Sequence, residues 1–322
     1  MNRRELLTSA AGLVSVFAVQ SFSDRTPTFA AARTDGFEPQ TPEPLTTVKL
    51  TDHLSVVMGA GGNIAVLTGN DGTLQVDSGL PNRSADIAKS VADLSAQPVT
   101  TLINTHWHLD HTGGNEALGK GGTRIVAQTT TRTRLATDQT VEFMKMHTPP
   151  SPAVALPVIT FAEDMRLYTN GEEIVMTHVP PAHTDTDIIV YFRNANVLHA
   201  GDLLFNGFYP FIDYSSRGWI GGMIAGADII LKMSNASTKI IPGHGPMASR
   251  TDVIAYRDML QAIRTRIEPM VKSGKSVQQA VAAKPTKEFD AKWSKGFLTP
   301  DQFTTLVYTG IARHRGSVGV HA

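Results

Sequence analysis

The sequence contains no cysteine among its 322 residues. This excludes disulfide bonds, zinc sites built from thiolates and thiol nucleophiles. Imidazole and carboxylate groups are the ligands that zinc takes from proteins in the absence of thiolate. Any metal site in this chain is therefore expected to consist of His, Asp and Glu side chains.

The chain also lacks an excess of charge of either sign, because 29 Lys and Arg residues balance 29 Asp and Glu residues. A nucleic-acid-binding protein needs basic charge to hold the phosphate backbone, so we expect no nucleic acid partner. Hydrophobic residues make up 41% of the chain and charged residues 18%, which is typical of a globular protein.

Long hydrophobic runs are missing as well. The apolar stretch at residues 10–19 is too short to span a bilayer. It follows the pair Arg3 and Arg4 and precedes three alanines at 30–32, which resembles a twin-arginine export signal cleaved near Ala32. We therefore expect residues 1–32 to be a signal peptide and 33–45 a flexible lead-in. The mature protein would then be periplasmic, without a membrane segment; a cytosolic N-terminus with two chance arginines is the alternative.

From residue 48 onward, short strand patterns alternate with helical patterns, which predicts an α/β fold. A helix is predicted at 84–94, another begins within 112–118, another runs through the 130s, and residues after 251 are helical. Residues 144–157 contain four prolines and are predicted to be irregular. The predicted strands are 54–58, 63–68, 73–77, 99–104, 125–127, 173–179, 187–192, 197–200 and 239–241.

The segment His106-Trp107-His108-Leu109-Asp110-His111 follows the buried strand predicted at 99–104. If the chain is still extended there, the period of two places the first two histidines on one face. Asp110 and His111 then lie in the following turn and face a second position close by. The segment predicts one metal and leaves room for a second.

Three further metal-capable residues occupy similar positions. His183, Asp202 and His244 each lie in a turn with glycine or proline near the end of a predicted strand. Sites at strand ends are common in layered α/β folds. We therefore expect these three residues to join the histidine-rich segment at one edge of the sheets.

In this order the seven residues resemble the ligand set of the metallo-β-lactamase superfamily, over roughly residues 48–246. The resemblance implies an αββα sandwich, with residues 46–250 as the catalytic domain and 251–322 as a C-terminal helical extension. It also implies two Zn²⁺ ions per chain. The first would be bound by His106, His108 and His183, the second by Asp110, His111 and His244, and Asp202 would bridge them.

The function implied by the resemblance is hydrolysis of an ester, lactone, thioester or β-lactam-like amide bond in a small molecule by metal-activated hydroxide. Asp110 is expected to orient the nucleophile and shuttle its proton. His108 stands where diiron flavoproteins carry Glu, which argues against oxygen reduction. Two alternatives remain: a mononuclear iron dioxygenase acting on a persulfide, and a metal-binding member of the fold without turnover.

Other residues are secondary candidates. Asp77, at the end of a predicted strand, either orients a metal-binding histidine or caps a turn. Tyr209 is a candidate for the tyrosine that lactonases carry shortly after the bridging Asp. Glutathione thioester hydrolases need basic residues in a helical C-terminal segment. Arg257, Arg264 and Arg266 are candidates for those residues, or they form a solvated helix face. His147 is a weaker candidate to reach the site, and His199 is predicted to be core.

Overall fold

The computed structural model describes residues 44–318, so the predicted signal peptide and nearly all of the lead-in lie outside the described residues. The strands of this part are β1 (Thr46–Lys49), β2 (Leu54–Met58), β3 (Ile64–Leu67), β4 (Thr73–Val76), β5 (Val99–Ile103), β6 (Arg124–Gln128), β7 (Gln139–Val141), β8 (Met146–Thr148), β9 (Ile159–Phe161), β10 (Asp164–Thr169), β11 (Glu172–His178), β12 (Ile188–Phe192), β13 (Val197–His199) and β14 (Lys239–Ile241). They form a seven-stranded sheet ordered β1-β2-β3-β4-β5-β6-β9, a five-stranded sheet ordered β10-β11-β12-β13-β14, and a separate β7-β8 pair.

The helices flank these sheets. They are α1 (Ser84–Leu94), α2 (Leu109–Thr112), α3 (Asn115–Lys120), α4 (Thr129–Leu135), α5 (Ile220–Met233), α6 (Arg250–Lys272), α7 (Val277–Ala282), α8 (Asp290–Trp293) and α9 (Pro300–Val318). The long helix α6 begins with a capping box, in which the side chains of Ser249 and Asp252 each accept a hydrogen bond from the other's backbone N–H. No helix among residues 44–318 combines the length and apolar character needed to cross a bilayer.

Successive side chains of a strand point to opposite faces of the sheet, so each sheet can pack against the other sheet on one face and against helices on the other. In β12 every residue is buried: Val190 joins the core between the sheets, whereas Ile189 faces the opposite way. The core between the sheets combines side chains from both, such as Val56 and Met176. Ile87 of α1 packs on the outer face of the first sheet. These layers confirm the predicted αββα sandwich.

The outer face of the second sheet is covered by helices. Ile230 of α5, Ile263 of α6 and Phe303 of α9 belong to one cluster with Ile189 of β12. The predicted C-terminal helical region is therefore confirmed, and its helices share a core with α5. The division into units at residues 46–250 and 251–322 stays a prediction.

Several elements differ from the sequence pattern. Helix α5 was not predicted, because its sequence contains three glycines that lower helix propensity. Those glycines permit close packing: a Cβ on Gly222 would lie 1.9 Å from the carbonyl oxygen of Pro181. The predicted helix within 112–118 is two short helices, α2 and α3. Strand β8 and a short 3-10 turn, Ala153–Ala155, lie inside the region predicted to be irregular.

Candidate metal centre

The histidine-rich segment does not continue the strand before it. Strand β5 ends at Ile103, and residues 105–107 form a bend. His108 has extended backbone angles and precedes α2, whose first turn contains Asp110 and His111. The condition for the period-of-two argument is thus not met. Instead, His106 lies in the bend, His108 directly precedes α2, and Asp110 and His111 lie in the helical turn that follows.

The structure brings all seven predicted residues together, in two neighbouring groups. The ligand atoms within each group lie within 4.8 Å of one another. The first group is His106, His108, His183 and Asp202, and the second is Asp110, His111 and His244. This division matches the one that the resemblance implies. Their roles as metal ligands stay a prediction.

Asp202 lies between the two groups. Its Oδ2 is 3.3 Å from His183 Nε2 and 3.4 Å from His244 Nε2. Its Oδ1 is 3.1 Å from His111 Nε2, and His106 Nε2 lies 3.8 Å from Oδ2. One buried carboxylate therefore contacts imidazoles of both groups, which is the position that a bridging ligand requires.

The donor atoms fit metal ions. Imidazole nitrogens face each other at 2.8 Å between His183 Nε2 and His108 Nδ1, and at 3.3 Å between His111 Nε2 and His244 Nε2. Within residues 44–318, the buried Nε2 of His106 has no hydrogen-bond partner. Buried polar atoms are normally paired, so converging nitrogens and an unpaired one indicate a cation site.

The protonation states of the first group also suit a metal. Burial lowers the pKa of His183 to about 4, and burial together with His111 holds that of His106 well below its usual value. Both imidazoles are therefore neutral. Burial acts to raise the pKa of Asp202, but His244 and His111 hold it well below the normal range. Metal ligands need these deprotonated forms.

In the second group, acidic neighbours raise the pKa values of both histidines. Burial opposes charge on His244, but Asp202 and Asp110 raise its pKa to about 9. Asp202 and Asp110 likewise hold the pKa of His111 well above its usual value, against the effect of burial. The surroundings of this group therefore favour positive charge.

Asp77 orients His111. Its Oδ2 lies 2.7 Å from His111 Nδ1, so the opposite nitrogen of the ring faces Asp202. The backbone N–H and the hydroxyl of Thr105 also donate to the Asp77 carboxylate. Asp77 has a φ of 65°, a region that Asp and Asn adopt more readily than most residues. The structure thus shows the contact with a candidate ligand that was predicted for Asp77, and its effect on a bound metal stays a prediction.

Asp213 has the same relation to His108, and its sequence context predicted no role for it. Its Oδ2 lies 3.1 Å from His108 Nε2, which leaves Nδ1 facing His183. The hydroxyls of Ser215 and Ser216 donate to the same carboxylate. A carboxylate 105 positions from its partner gives no local sequence signal. His183 itself is oriented because its Nδ1–H donates to the carbonyl of Phe211 at 2.8 Å.

Two glycines leave space that the ligands occupy. A Cβ on Gly62 would lie 2.2 Å from His111 Cε1, and one on Gly243 would lie 1.9 Å from Asp202 Oδ1. Both distances are far below a normal contact of roughly 3.5–4.0 Å. Glycine at these positions is therefore required by the packing around the candidate ligands.

The secondary candidates lie elsewhere. Tyr209 is buried, stacks on Phe303 and donates its hydroxyl to Asp290 at 2.8 Å, so it does not replace the lactonase tyrosine. His147 is exposed and lies beside Asp138. His199 is core, as predicted.

The three basic candidates form ion pairs with acidic side chains on the helical surface, which favours the solvated helix face. These pairs are Arg257 with Asp228 and Asp258, Arg264 with Glu268, and Arg266 with Glu288.

Comparison with known proteins agrees with this geometry. The family model described as metallo-beta-lactamase superfamily matches residues 58–264. The fold is similar to a metallo-beta-lactamase from Pontibacter korlensis, with 19% identity, a TM-score of 0.56 and coverage of 67% of this chain and 99% of that one. The fold is also similar to the DIM-1 metallo-beta-lactamase, with 17% identity and a TM-score of 0.54. That match covers 68% of this chain and 98% of the DIM-1 chain.

A third similar structure is the stereoselective inverting sec-alkylsulfatase Pisa1 from Pseudomonas sp., with 16% identity and a TM-score of 0.58. The match covers 86% of this chain but only 51% of the alkylsulfatase, so the chain spans about half the length of that enzyme. At these identities the structural matches establish the fold. The family model covers well over half of the sequence, and the chain belongs to the metallo-beta-lactamase superfamily.

Proposed function

We propose that this protein is a hydrolase that binds two zinc ions and cleaves an ester, lactone, thioester or amide bond of a small molecule. The observation that carries the proposal is the position of Asp202, whose buried carboxylate contacts histidines of both ligand groups. The donor set contains only imidazole and carboxylate, which zinc accepts. Bound there, two ions would supply a nucleophilic hydroxide at neutral pH and polarise the bond to be cleaved.

Asp110 is the group best placed to handle protons. About a third of its side chain is exposed, whereas Asp202 is 4% exposed. Burial would raise the pKa of Asp110, but His111 and His244 hold it well below its usual range, so the carboxylate is ionised. Asp110 would accept the proton released by the attacking water and pass it to the leaving group.

Replacing Asp110 tests this role. In D110N we expect turnover to fall by roughly 10²–10⁴-fold, the usual contribution of a positioned acid or base. Metal content and thermal stability are measured on the same sample, so that loss of the metal can be told apart from loss of the proton acceptor. The exposed pair of α1 offers a control, Asp93→Asn, in which turnover should not change. Unchanged turnover in a metal-loaded D110N protein contradicts the role.

The function as a whole is tested by metal analysis joined to a substrate panel. We expect two zinc ions per full-length chain, and hydrolysis of one class among a lactone, a β-lactam, a thioester, a carboxylic ester and a secondary alkyl sulfate. The last is included because one fold neighbour is a sec-alkylsulfatase. Failure to bind transition metals would refute the proposal.

Two alternatives give different results in the same experiment. A mononuclear iron dioxygenase would contain one iron per chain and consume oxygen with a persulfide. The second complete group of ligand candidates favours two ions over one. A member without turnover would bind two zinc ions and hydrolyse nothing in the panel.

We also propose that residues 1–32 direct export and that the mature enzyme acts in the periplasm on a small molecule, without nucleic acid or membrane partners. Fractionation of cells that express the full chain tests the location. Substitution of the twin arginines Arg3 and Arg4 by lysine should retain the protein in the cytoplasm.

A further inference from the structure

Asn63 is a buried residue that directly precedes β3 and binds the backbone of the turn at 242–245, which carries His244. It donates hydrogen bonds to three of the four carbonyls of that turn. They are the carbonyls of Pro242 and Gly245, which accept from its side-chain amide at 2.9 Å, and that of Gly243, which accepts from its backbone N–H at 2.8 Å. Because Asn63 is only 3% exposed, these bonds are costly to leave unmade. Asn63 therefore fixes the backbone from which His244 projects.

The residue before Asn63 reaches the other two candidate ligands of the second group. The backbone N–H of Gly62 donates to the carbonyl of Asp110 at 3.1 Å, and Gly62 packs against the ring of His111. The segment that leads into β3 thus contacts all three members of this group. The first group is supported elsewhere, by Asp213 and by the carbonyl of Phe211.

His199 extends this support to Asp202. The backbone N–H of Gly201 donates to His199 Nδ1 at 3.1 Å. Since Nδ1 is an acceptor, the neutral ring carries its hydrogen on Nε2 and donates it to the backbone carbonyl of Asn63 at 3.0 Å. His199 is completely buried, so both bonds are shielded from water. One imidazole thereby joins the turn of Asp202 to the residue that holds the turn of His244.

We propose that Asn63 and His199 are positioning residues that hold His244 and Asp202 at the separation required by the second metal ion. The inference rests on the proposed function and deepens it, because it assigns the affinity of one metal site to two residues outside the seven candidate ligands. His244 Nε2 lies 3.1 Å from Asp110 Oδ2 and 3.4 Å from Asp202 Oδ2. A shift of the turn that carries His244 changes both distances, whereas the three histidines of the first group keep their own supports.

The test is a zinc titration of the chelator-treated full-length protein against a competing chelator, fitted with two dissociation constants. Asn63→Asp keeps the shape of the side chain but places a carboxylate oxygen, in place of an amide N–H, against the carbonyls of Pro242 and Gly245. We expect the affinity for one ion to fall by about 10–100-fold, as on loss of a group that orients a metal ligand, and the other to change by less than about twofold. Cobalt spectra should assign the loss to the site formed by Asp110, His111 and His244.

Two variants of His199 test its hydrogen bond to Asn63. The side-chain amide of His199→Gln can still donate to the carbonyl of Asn63, so this variant should retain most of the affinity for the second ion. His199→Leu has no donor and should lose affinity for the same ion as Asn63→Asp. A loss that glutamine restores identifies the hydrogen bond, and not the mere presence of a buried side chain, as the cause.

The matched control is Asn170→Asp. The side-chain amide of Asn170 likewise donates to a backbone carbonyl, that of Gly72 at 2.7 Å. This bond joins the β3–β4 and β10–β11 turns, at the opposite end of β4 from Asp77. Aspartate also tolerates the φ of 51° at position 170. Both zinc affinities should be unchanged in this variant.

The outcomes separate the positioning role from the metal centre itself. If Asn63→Asp retains both zinc affinities, or if both fall by the same factor, the positioning role is overturned and the metal centre stands. Asn63→Ala, which removes the same side-chain donors without adding a charge, is judged by the same criteria if Asn63→Asp does not fold. An equal loss in Asn170→Asp, or equal affinities in the two His199 variants, would also overturn the role. If the unmodified protein binds no zinc, the metal centre fails and the inference fails with it.

Discussion

The carboxylates of Asp77 and Asp213 should each support the binding of a different metal ion, and this can be tested by changing each residue to asparagine. Asp77 contacts His111 of the second group, whereas Asp213 contacts His108 of the first group. Asparagine preserves the shape of the side chain and tolerates the φ of 65° at position 77. It removes the negative charge that fixes the imidazole tautomer. Each variant should therefore weaken the binding of one metal ion and leave the binding of the other unchanged.

The expected loss of metal affinity and of stability follows from the contacts of the two carboxylates. Loss of a carboxylate that orients a metal-binding histidine typically lowers metal affinity by about 10–100-fold. Asp77 also accepts two hydrogen bonds from Thr105, both at 2.7 Å, so D77N should in addition lower the free energy of unfolding by about 1–3 kcal/mol. In D213N the hydroxyls of Ser215 and Ser216 lose a charged acceptor, with a destabilisation of similar size.

The assay is a zinc titration against a competing chelator, fitted with two dissociation constants. Cobalt spectra identify which site is affected, because, apart from the shared carboxylate of Asp202, one group offers three imidazoles and the other offers two imidazoles and a carboxylate. D77N and D213N should raise different constants, and the double variant should raise both. Asp93→Asn on α1 is the control for a loss of charge. If both single variants weaken the binding of the same ion, or if neither changes an affinity by more than about twofold, the assignment of the two carboxylates to different ions is refuted.

Three further changes test other parts of the site. In G62A the new Cβ would overlap the ring of His111, so we expect turnover to fall by roughly 10²-fold. The control is Gly310→Ala, which should be tolerated because the nearest atom to the new Cβ would lie 3.5 Å away. Tyr209→Phe removes the hydrogen bond to Asp290 and should cost about 1.5–3 kcal/mol in urea unfolding without changing kcat; a large fall in kcat would place the tyrosine in the reaction after all. Zinc added to chelator-treated protein at about 100 times Kd should raise the unfolding free energy by about 2.7 kcal/mol for each ion bound, and an unchanged Tm would contradict a folded-state metal site.

The seven candidate ligands could be predicted because their types and spacing are a local property of the sequence. His106 to His111 lie within six positions, and His183, Asp202 and His244 each follow a recognisable strand. The support around them was harder to predict. Asp213 acts on a residue far away in the chain, and nothing in its immediate sequence distinguishes it from an aspartate that caps a turn.

The fold was predicted best where apolar residues are regularly spaced. Helix α1 has the predicted bounds of 84–94 because Ile87 and Val91 recur at helical spacing on its buried side. Strand β10 was missed because it carries polar residues such as Asp164 and Arg166 and no residue of it is fully buried. Its strand structure depends on pairing with β11, which a local pattern does not contain.

Parallel strand pairs explain why residues so distant in sequence meet at one edge. Strands β4 and β5 are parallel, with Val76 opposite Ile103, so their carboxyl ends lie side by side and deliver Asp77 and the loop that contains His106. Strands β13 and β14 are also parallel, with His199 opposite Ile241, and their ends deliver Asp202 and His244. In each sheet one crossover thus places two functional segments together. The sequence reveals which strands end in metal-capable residues, but the parallel pairing that makes those ends neighbours is a property of the folded sheets.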